Sequence, residues 1–176
     1  MSATDTRPKS DDGPFSGYAE PDERPPFRSY LAFAAVLHSA VAAALVAARR
    51  SGRELPERVD PADVVITGVA TYKLSRVVSK DRVTAFARAP FTEFQERGGP
   101  AEVEEKPRGS GLRRAIGELL VCPYCLGLWI STGFHVGLVF TPRPTRFVAS
   151  IFSTLALSDF LQVACKASQD RAFDRR

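Results

Sequence analysis

The stretch from Leu119 to Phe140, LLVCPYCLGLWISTGFHVGLVF, runs for 22 residues without a formal charge. A helix needs roughly 20 apolar residues to cross the hydrocarbon core of a bilayer, and buried helices of soluble proteins rarely show so long a run. Cys122 and Cys125 lie near the beginning of the stretch. It therefore predicts a transmembrane helix that carries two thiols at a membrane surface.

Three further apolar runs lie in the same chain of 176 residues. Residues 30–48 and 147–165 are both as long as a span, and Asp159 is their only charged residue. Residues 62–79 form the weakest run, with an acid near its start and two bases near its end. We therefore predict an all-α bundle of four transmembrane helices, or of three if 62–79 lies at the membrane interface.

The remaining segments are polar. Residues 1–29 hold five prolines and many charges, which predicts a disordered tail because too little apolar surface is available to offset the entropy of ordering. This acidic leader and the long run after it argue against a cleaved signal peptide. Residues 80–118 form a predicted loop whose short amphipathic segments lie in the headgroup layer or pack on the helix ends. Residues 166–176 form a basic C-terminal tail.

Lysine and arginine are unevenly distributed over the two sides that four crossing helices would define. Sixteen lie in the two tails and the 80–118 loop, against six in the two short connectors. Because basic residues accumulate in cytoplasmic loops, we predict that both termini and the long loop are cytoplasmic. Arg49 and Arg50, directly after the first run, favour the reverse for that helix alone.

The net charge of +4 does not by itself indicate nucleic acid. Most basic residues flank apolar runs, which fits contact with the lipid bilayer and its anionic headgroups, and we predict no nucleic-acid partner. Gly133 and Gly137 form a Gly-x-x-x-Gly pattern that lets helices approach closely in lipid. This pattern predicts a helix contact, either within the chain or in a homo-oligomer.

The predicted topology places the three cysteines of the chain, Cys122, Cys125 and Cys165, at the same end of the bundle. Glu118 lies four residues before Cys122, on the same face if one helix continues through both. Pro123 fits such a helix only if Cys122 caps it and the proline takes the first position. An odd number of cysteines makes a disulfide framework a poor interpretation.

Four interpretations of these thiols stay open. A helix N-terminus and the nearby Arg113 and Arg114 favour thiolate and hence redox exchange. Thiolates also bind zinc, but a closed zinc site needs four ligands, so Glu118 or a second subunit would have to complete it. Palmitoylation and inert packing are the other two. Cys-Pro-Tyr-Cys is also the glutaredoxin motif, but here it leads into a bilayer-length apolar run, so that function is not carried over.

A narrow basic stripe follows the end of the second run. Lys73, Arg76 and Lys80 lie at helical spacing, and such side chains extend to the headgroups when they lie near a helix end. Asp159 lies at a similar predicted depth on the last run. Because an unpaired charge within a bilayer is costly, we predict an ion pair between Asp159 and Arg76, with Lys73 as the alternative base.

Two stretches carry a family resemblance. One is ATYKLSR at 70–76, which continues through KDRVT at 80–84 to RAPF at 88–91, and the other is ELLVCPYCLGLW at 118–129. From about 63 to 165 the chain resembles a bacterial membrane family named domain of unknown function 1360. The resemblance implies an integral protein of the bacterial cytoplasmic (inner) membrane, with the basic stretch and the cysteines in one site. It implies no activity.

The sequence thus predicts a small membrane protein of unassigned role that is more simply explained without enzymatic activity. Its cytoplasmic face is predicted to bind a partner or anionic lipid. That face combines the two close cysteines with six charged residues, namely Lys73, Arg76, Lys80, Asp81, Arg82 and Arg88. The alternatives are a membrane thiol-disulfide oxidoreductase and a thiolate metal-binding protein.

Overall fold

The computed structural model describes Tyr18 and residues 25–173. Most of the predicted tail at 1–29, and the last three residues, lie outside the described residues. The described elements are α1 (Phe27–Arg50), α2 (Pro61–Ser79), α3 (Ala85–Arg88), β1 (Thr92–Arg97), β2 (Val103–Pro107), α4 (Gly111–Val121), α5 (Pro123–Phe140) and α6 (Pro142–Phe173).

Three of the described helices, α1, α5 and α6, are long and apolar enough to cross a membrane. The prediction of four spans is not supported, because α2 contains Asp63, Lys73 and Arg76 within its 19 residues. Charged residues are the most costly to place in hydrocarbon. The sequence also allowed three spans with 62–79 at the membrane interface. The number of three spans agrees with this finding, and the interfacial position of 62–79 stays a prediction.

The chain passes back and forth through the bundle. Tyr30, near the start of α1, hydrogen bonds to Glu118 on α4, and Arg53, just after α1, donates to the carbonyl of Val139 at 3.1 Å. The bundle therefore has two ends. We name the end that carries α4 and the strands β1 and β2 the cap end, and the end that carries the short connectors after α1 and α5 the connector end.

Residues 80–121 form a folded cap and not an open loop. The strands β1 and β2 pair antiparallel, with an irregularity between Phe94 and Glu96, and a further bridge joins Asp81 to Glu102. The prediction of an all-α fold is therefore wrong for this segment. Only Thr92 and Val103 are buried along the two strands, so no period of two residues marks TEFQER and VEEKP as strands in the sequence.

The break between α4 and α5 falls at Cys122. This residue is extended, with ψ of 102°, and its Sγ accepts a hydrogen bond from the backbone N–H of Cys125 at 3.1 Å. Pro123 takes the first helical position, where its missing N–H costs nothing. The predicted cap at Cys122 is confirmed. The first residues of the apolar run, Leu119–Val121, belong to α4 and not to the apolar helix.

The core lies where α2, α5 and α6 meet. Ala70 and Ala149 are fully buried beside Phe134, and larger apolar side chains from all three helices surround them. Two small residues let α2 and α6 approach closely, as is usual for helices that pack in lipid. The polar residues of α2 are thereby held in the interior of the bundle, with Thr67 and Ser75 both buried.

Charged pairs also join α2 to α6. Asp63 accepts two hydrogen bonds from Arg146, both of 2.7 Å. Lys73 Nζ lies 2.5 Å from Asp159 Oδ2. The predicted partner of Asp159, Arg76, is therefore wrong and the alternative base, Lys73, is the one in contact. Arg76 lies nearer the end of α2 and reaches the hairpin instead.

Exchanging the charges of this pair tests the arrangement. We expect Lys73→Asp and Asp159→Lys each to lower the amount of folded protein, because each leaves two like charges in contact within the bundle. The double variant should restore it in part. Quantification of the folded chain by size-exclusion chromatography in detergent measures this. The matched exchange of Arg76 and Asp159 should give no rescue, and a rescue there would contradict the pairing.

The Gly-x-x-x-Gly pattern is divided between two environments. A Cβ at Gly137 would collide with the side chain of Thr145 on α6, so this glycine permits a close contact within the chain. A Cβ at Gly133 would meet nothing within 4 Å. The predicted homo-oligomer through these glycines stays a prediction.

Candidate functional site

Three acids at the second strand of the hairpin pair with three bases near the end of α2 and in α3. The pairs are Glu102 with Arg76, Glu104 with Lys80, and Glu105 with Arg88. Arg76 forms a bidentate contact with Glu102, with Nη2 2.7 Å from both carboxylate oxygens. Lys80 Nζ lies 2.6 Å from Glu104 Oε2. Glu102 and Glu104 lie beside and on β2, and Arg76 and Lys80 lie on and directly after α2. These two contacts therefore attach the hairpin to the end of the helix.

Arg88 is the centre of this arrangement. Its side chain is 1% exposed and its Nε lies 2.5 Å from Glu105 Oε2. The same guanidinium donates to the carbonyls of Val78 and Asp81 and to Thr84 Oγ1, at 2.7 to 3.0 Å. A guanidinium provides five donors in a fixed planar fork, and here it connects α2, α3 and β2.

The predicted basic face is therefore largely an internal set of ion pairs. Lys73, Arg76, Lys80 and Arg88 all have carboxylate partners, and the hydrogen bonds that Arg76 donates to Glu102 raise the pKa of Arg76. Asp81 Oδ1 accepts from the backbone N–H of Val83 at 2.8 Å. Sequence reasoning missed the three glutamates as partners, because they lie 17 to 26 positions from the bases that they contact.

Arg82 differs from the other bases of the predicted face. Its backbone N–H donates to Ala101 O at 2.9 Å, and its side chain has no partner among the described residues. It lines a groove of about 480 Å³ between α3 and the hairpin. Arg97 was not among the predicted site residues. It lies in the same groove, and its side chain has no partner among the described residues.

Exposed aromatic rings accompany these two arginines. Phe86 on α3 is 79% exposed and Phe94 on β1 is 62% exposed, and both line the groove. Val83, beside them in sequence, is also 79% exposed. Exposed apolar clusters beside basic groups mark surfaces that contact a membrane or another protein. We name Arg82, Phe86, Phe94 and Arg97 the cap groove.

The cysteines form a second feature of the same end. Cys122 and Cys125 are joined in a disulfide with their Cα atoms 5.3 Å apart. The odd number of cysteines made a disulfide framework a poor interpretation, but it is compatible with this local pair. Cys125 is exposed, and Tyr124 between the two is 91% exposed. The pair is therefore accessible at the first turn of α5.

The other two members of the predicted thiol cluster lie apart from this pair. Cys165 is free and exposed on α6, where its Sγ accepts a hydrogen bond from Gln169 Nε2 at 3.6 Å. Glu118 accepts from Tyr30 and from Arg114, the latter at 2.9 Å. Within residues 25–173, no three His, Cys, Asp or Glu side chains lie close enough to hold a metal ion. The described arrangement thus offers no assembled zinc ligand set.

The connector end has its own charged contact. The two hydrogen bonds from Arg146 lower the pKa of Asp63, although burial of this carboxyl acts in the opposite direction. Asp60 caps α2 by accepting from the Ala62 N–H at 2.9 Å. These contacts fix the beginning of α2 against α6.

Comparison with known proteins gives a family but no activity. A family model described as "Protein of unknown function (DUF1360)" matches residues 66–165. The sporulation protein YjcA of Bacillus subtilis (strain 168) is 26% identical over 102 residues, which cover 56% of this chain and 86% of that protein. The UPF0713 protein YngL of the same strain is 26% identical over 95 residues, with 51% and 69% covered. No solved structure matches.

The matched region includes most of α2, the cap, α5 and most of α6, and leaves α1 outside. It therefore contains the ion-paired hairpin, the cap groove and the cysteine pair together.

Proposed function

This chain belongs to the DUF1360 family, and from that premise we propose that it is a non-enzymatic integral membrane protein whose cap docks on anionic lipid headgroups. The single observation that carries the proposal is the cap groove, in which two arginines without described partners lie beside two exposed phenylalanine rings. Of the other bases of the predicted basic face, Lys73, Arg76, Lys80 and Arg88 already have carboxylate partners. The binding surface is thus narrower than the basic stretch suggested.

The position of the groove favours lipid over a distant soluble partner. α3 begins six residues after the end of α2, and Arg88 of α3 donates to the carbonyl of Val78 in the last turn of α2. The groove therefore lies close to the end of the helical bundle, at the level expected for headgroups when the three apolar helices cross a bilayer. Phenylalanine enters the acyl boundary while arginine binds phosphate.

A tryptophan placed at residue 86 tests this proposal. In a Trp129→Phe background, we expect brominated lipids to quench Phe86→Trp strongly in vesicles that contain anionic phosphatidylglycerol and weakly in neutral phosphatidylcholine vesicles. Each basic side chain near an anionic surface contributes about 1 kcal/mol. Arg82→Gln with Arg97→Gln should therefore abolish the difference between the two lipids.

The control is Lys106→Gln, which removes a charge from the same hairpin but from a side chain 3.4 Å from Glu93. It should leave the quenching unchanged. Absence of quenching at residue 86 in both kinds of vesicle would overturn lipid docking and would direct attention to an acidic protein partner.

A second candidate function is thiol-disulfide exchange at the membrane. The observation that favours it is the position of Cys122 at the N-terminus of α5, where its sulfur accepts the Cys125 N–H. That environment stabilises a thiolate. Labelling of the reduced pair in intact cells with an impermeant maleimide reports which side it faces. A mixed disulfide trapped in Cys125→Ser but not in Cys122→Ser would support exchange, and equal inertness of both would exclude it.

A further inference from the structure

A cavity of about 840 Å³ lies at the connector end, between α1, α5 and the beginnings of α2 and α6. This volume is within the range of about 300–1,000 Å³ that ligand sites occupy. The cavity is far from the cap groove and contains none of the residues of the proposed lipid-docking surface. All three helices that are apolar enough to cross a membrane contribute to its lining, α6 through Arg146 alone.

The walls of the cavity are apolar and run along the helices. Small and branched side chains of α1, such as Val41 and Ala44, face Val136 and Val139 of α5. The lining of α5 extends from Ser131 to Phe140, which is about 14 Å at helical rise. A mostly apolar cavity of this length between two candidate spans can accommodate a hydrocarbon chain.

The mouth of the cavity carries charges of both signs. Of the five charged side chains in its lining, Asp63 and Arg146 neutralise each other through two hydrogen bonds. Glu54 and Arg58 have no side-chain partner among the described residues, and Asp60 uses one carboxylate oxygen to cap α2. Two acids and one base therefore remain for a ligand.

His135 adds an acceptor to the same lining. Its Nδ1 lies 2.8 Å from the carbonyl oxygen of Ser131 and must donate to it, because a carbonyl only accepts. In the neutral ring this leaves Nε2 as an acceptor. The lining thus offers more acceptors than free donors, which matches a ligand with N–H donors and one anionic group.

We propose that this cavity is a binding site for a zwitterionic phospholipid with a primary ammonium group, of the ethanolamine class. One acyl chain lies between α1 and α5, the phosphate contacts Arg58, and the ammonium contacts Glu54 and Asp60. An anionic lipid is disfavoured by the excess of acid. A choline lipid has no N–H to donate. The proposal shares the bilayer placement of the apolar helices with the proposed function but does not depend on docking by the cap.

Native mass spectrometry of the full chain tests it. The protein is released from nanodiscs that contain equal amounts of ethanolamine, choline and glycerol phospholipids. We expect one ethanolamine lipid to be retained in preference to the other two. Glu54→Gln should remove the preference over the glycerol lipid, and Arg58→Gln should lower retention of the ethanolamine lipid at least tenfold. Both side chains are exposed, so neither change should affect folding.

A filling variant provides an independent readout. Ala44→Trp should lower retention at least tenfold, whereas Leu157→Trp, on an α6 side chain that is 60% exposed and outside the lining, should have no effect. Retention of all three lipids in equal amounts, or preference for the anionic lipid, would overturn the assignment. So would retention that is unchanged in both Glu54→Gln and Arg58→Gln, even if Ala44→Trp fails to fold. Loss of cap docking in vesicles would leave this result unaffected.

Discussion

Arg88→Met is expected to destabilise the cap by about 3–5 kcal/mol, the range found when one partner of a buried ion pair is removed. The side chain of Arg88 is 1% exposed and that of Glu105 is 6% exposed. The substitution leaves a buried carboxylate without its partner and frees two backbone carbonyls. Limited proteolysis between β1 and β2, with the chain in detergent, should show cleavage under conditions that leave the native protein intact.

The double variant Arg88→Met with Glu105→Leu separates the loss of the pair from the loss of the guanidinium. It should recover part of the stability, because an apolar replacement of a whole buried pair is often tolerated. Recovery should be incomplete, since the carbonyls of Val78 and Asp81 remain without a donor. Arg82→Met is the matched control, and a loss of stability as large as that of Arg88→Met would refute the central role of Arg88.

Gly117→Ala is the second change with a large expected effect. The added Cβ would lie less than 3.0 Å from the carbonyl oxygen of Phe91 and 3.1 Å from Pro107 Cβ. Backbone cannot move away as a flexible side chain can, so we expect a loss of about 1–3 kcal/mol from overpacking. The thermal midpoint of the full chain in detergent, followed by circular dichroism, measures it.

The same substitution at Gly133 gives the comparison. A Cβ there meets nothing within 4 Å, and alanine favours a helix over glycine by roughly 0.5–1 kcal/mol. Gly133→Ala should therefore raise the midpoint slightly while Gly117→Ala lowers it. Equal shifts for the two variants would show that α4 is not packed against the hairpin as described.

The apolar helices could be predicted from the sequence because each is a long, continuous run of apolar residues. The run after Cys122 is long enough to bridge a bilayer, and Pro123 marks its beginning through a rule that concerns one residue and its neighbour. The hairpin was not readable in the same way. Its strands are short, and their charged side chains gain a role only through contacts with residues some 17 to 26 positions away.

For the candidate site, too, the features set by neighbouring residues could be predicted, and those set by long-range contacts could not. The sequence identified the basic residues but not which of them are free to bind a ligand. Whether Arg76 or Arg82 is free depends on where Glu102 lies in space. The cysteine pair was found as a motif, whereas Glu118 was assigned to it by assuming one continuous helix. The backbone break at Cys122 separates the two.

The pairs that join α2 to α6 have a consequence for biogenesis. Asp63 and Lys73 leave the ribosome more than 80 residues before Arg146 and Asp159, their respective partners. During that interval their charges oppose entry into the hydrocarbon, by a few kcal/mol each on insertion scales. We expect α2 to wait beside the translocon until α6 is synthesised. Nascent chains that stop before α6 should then be recognised and degraded by membrane quality control.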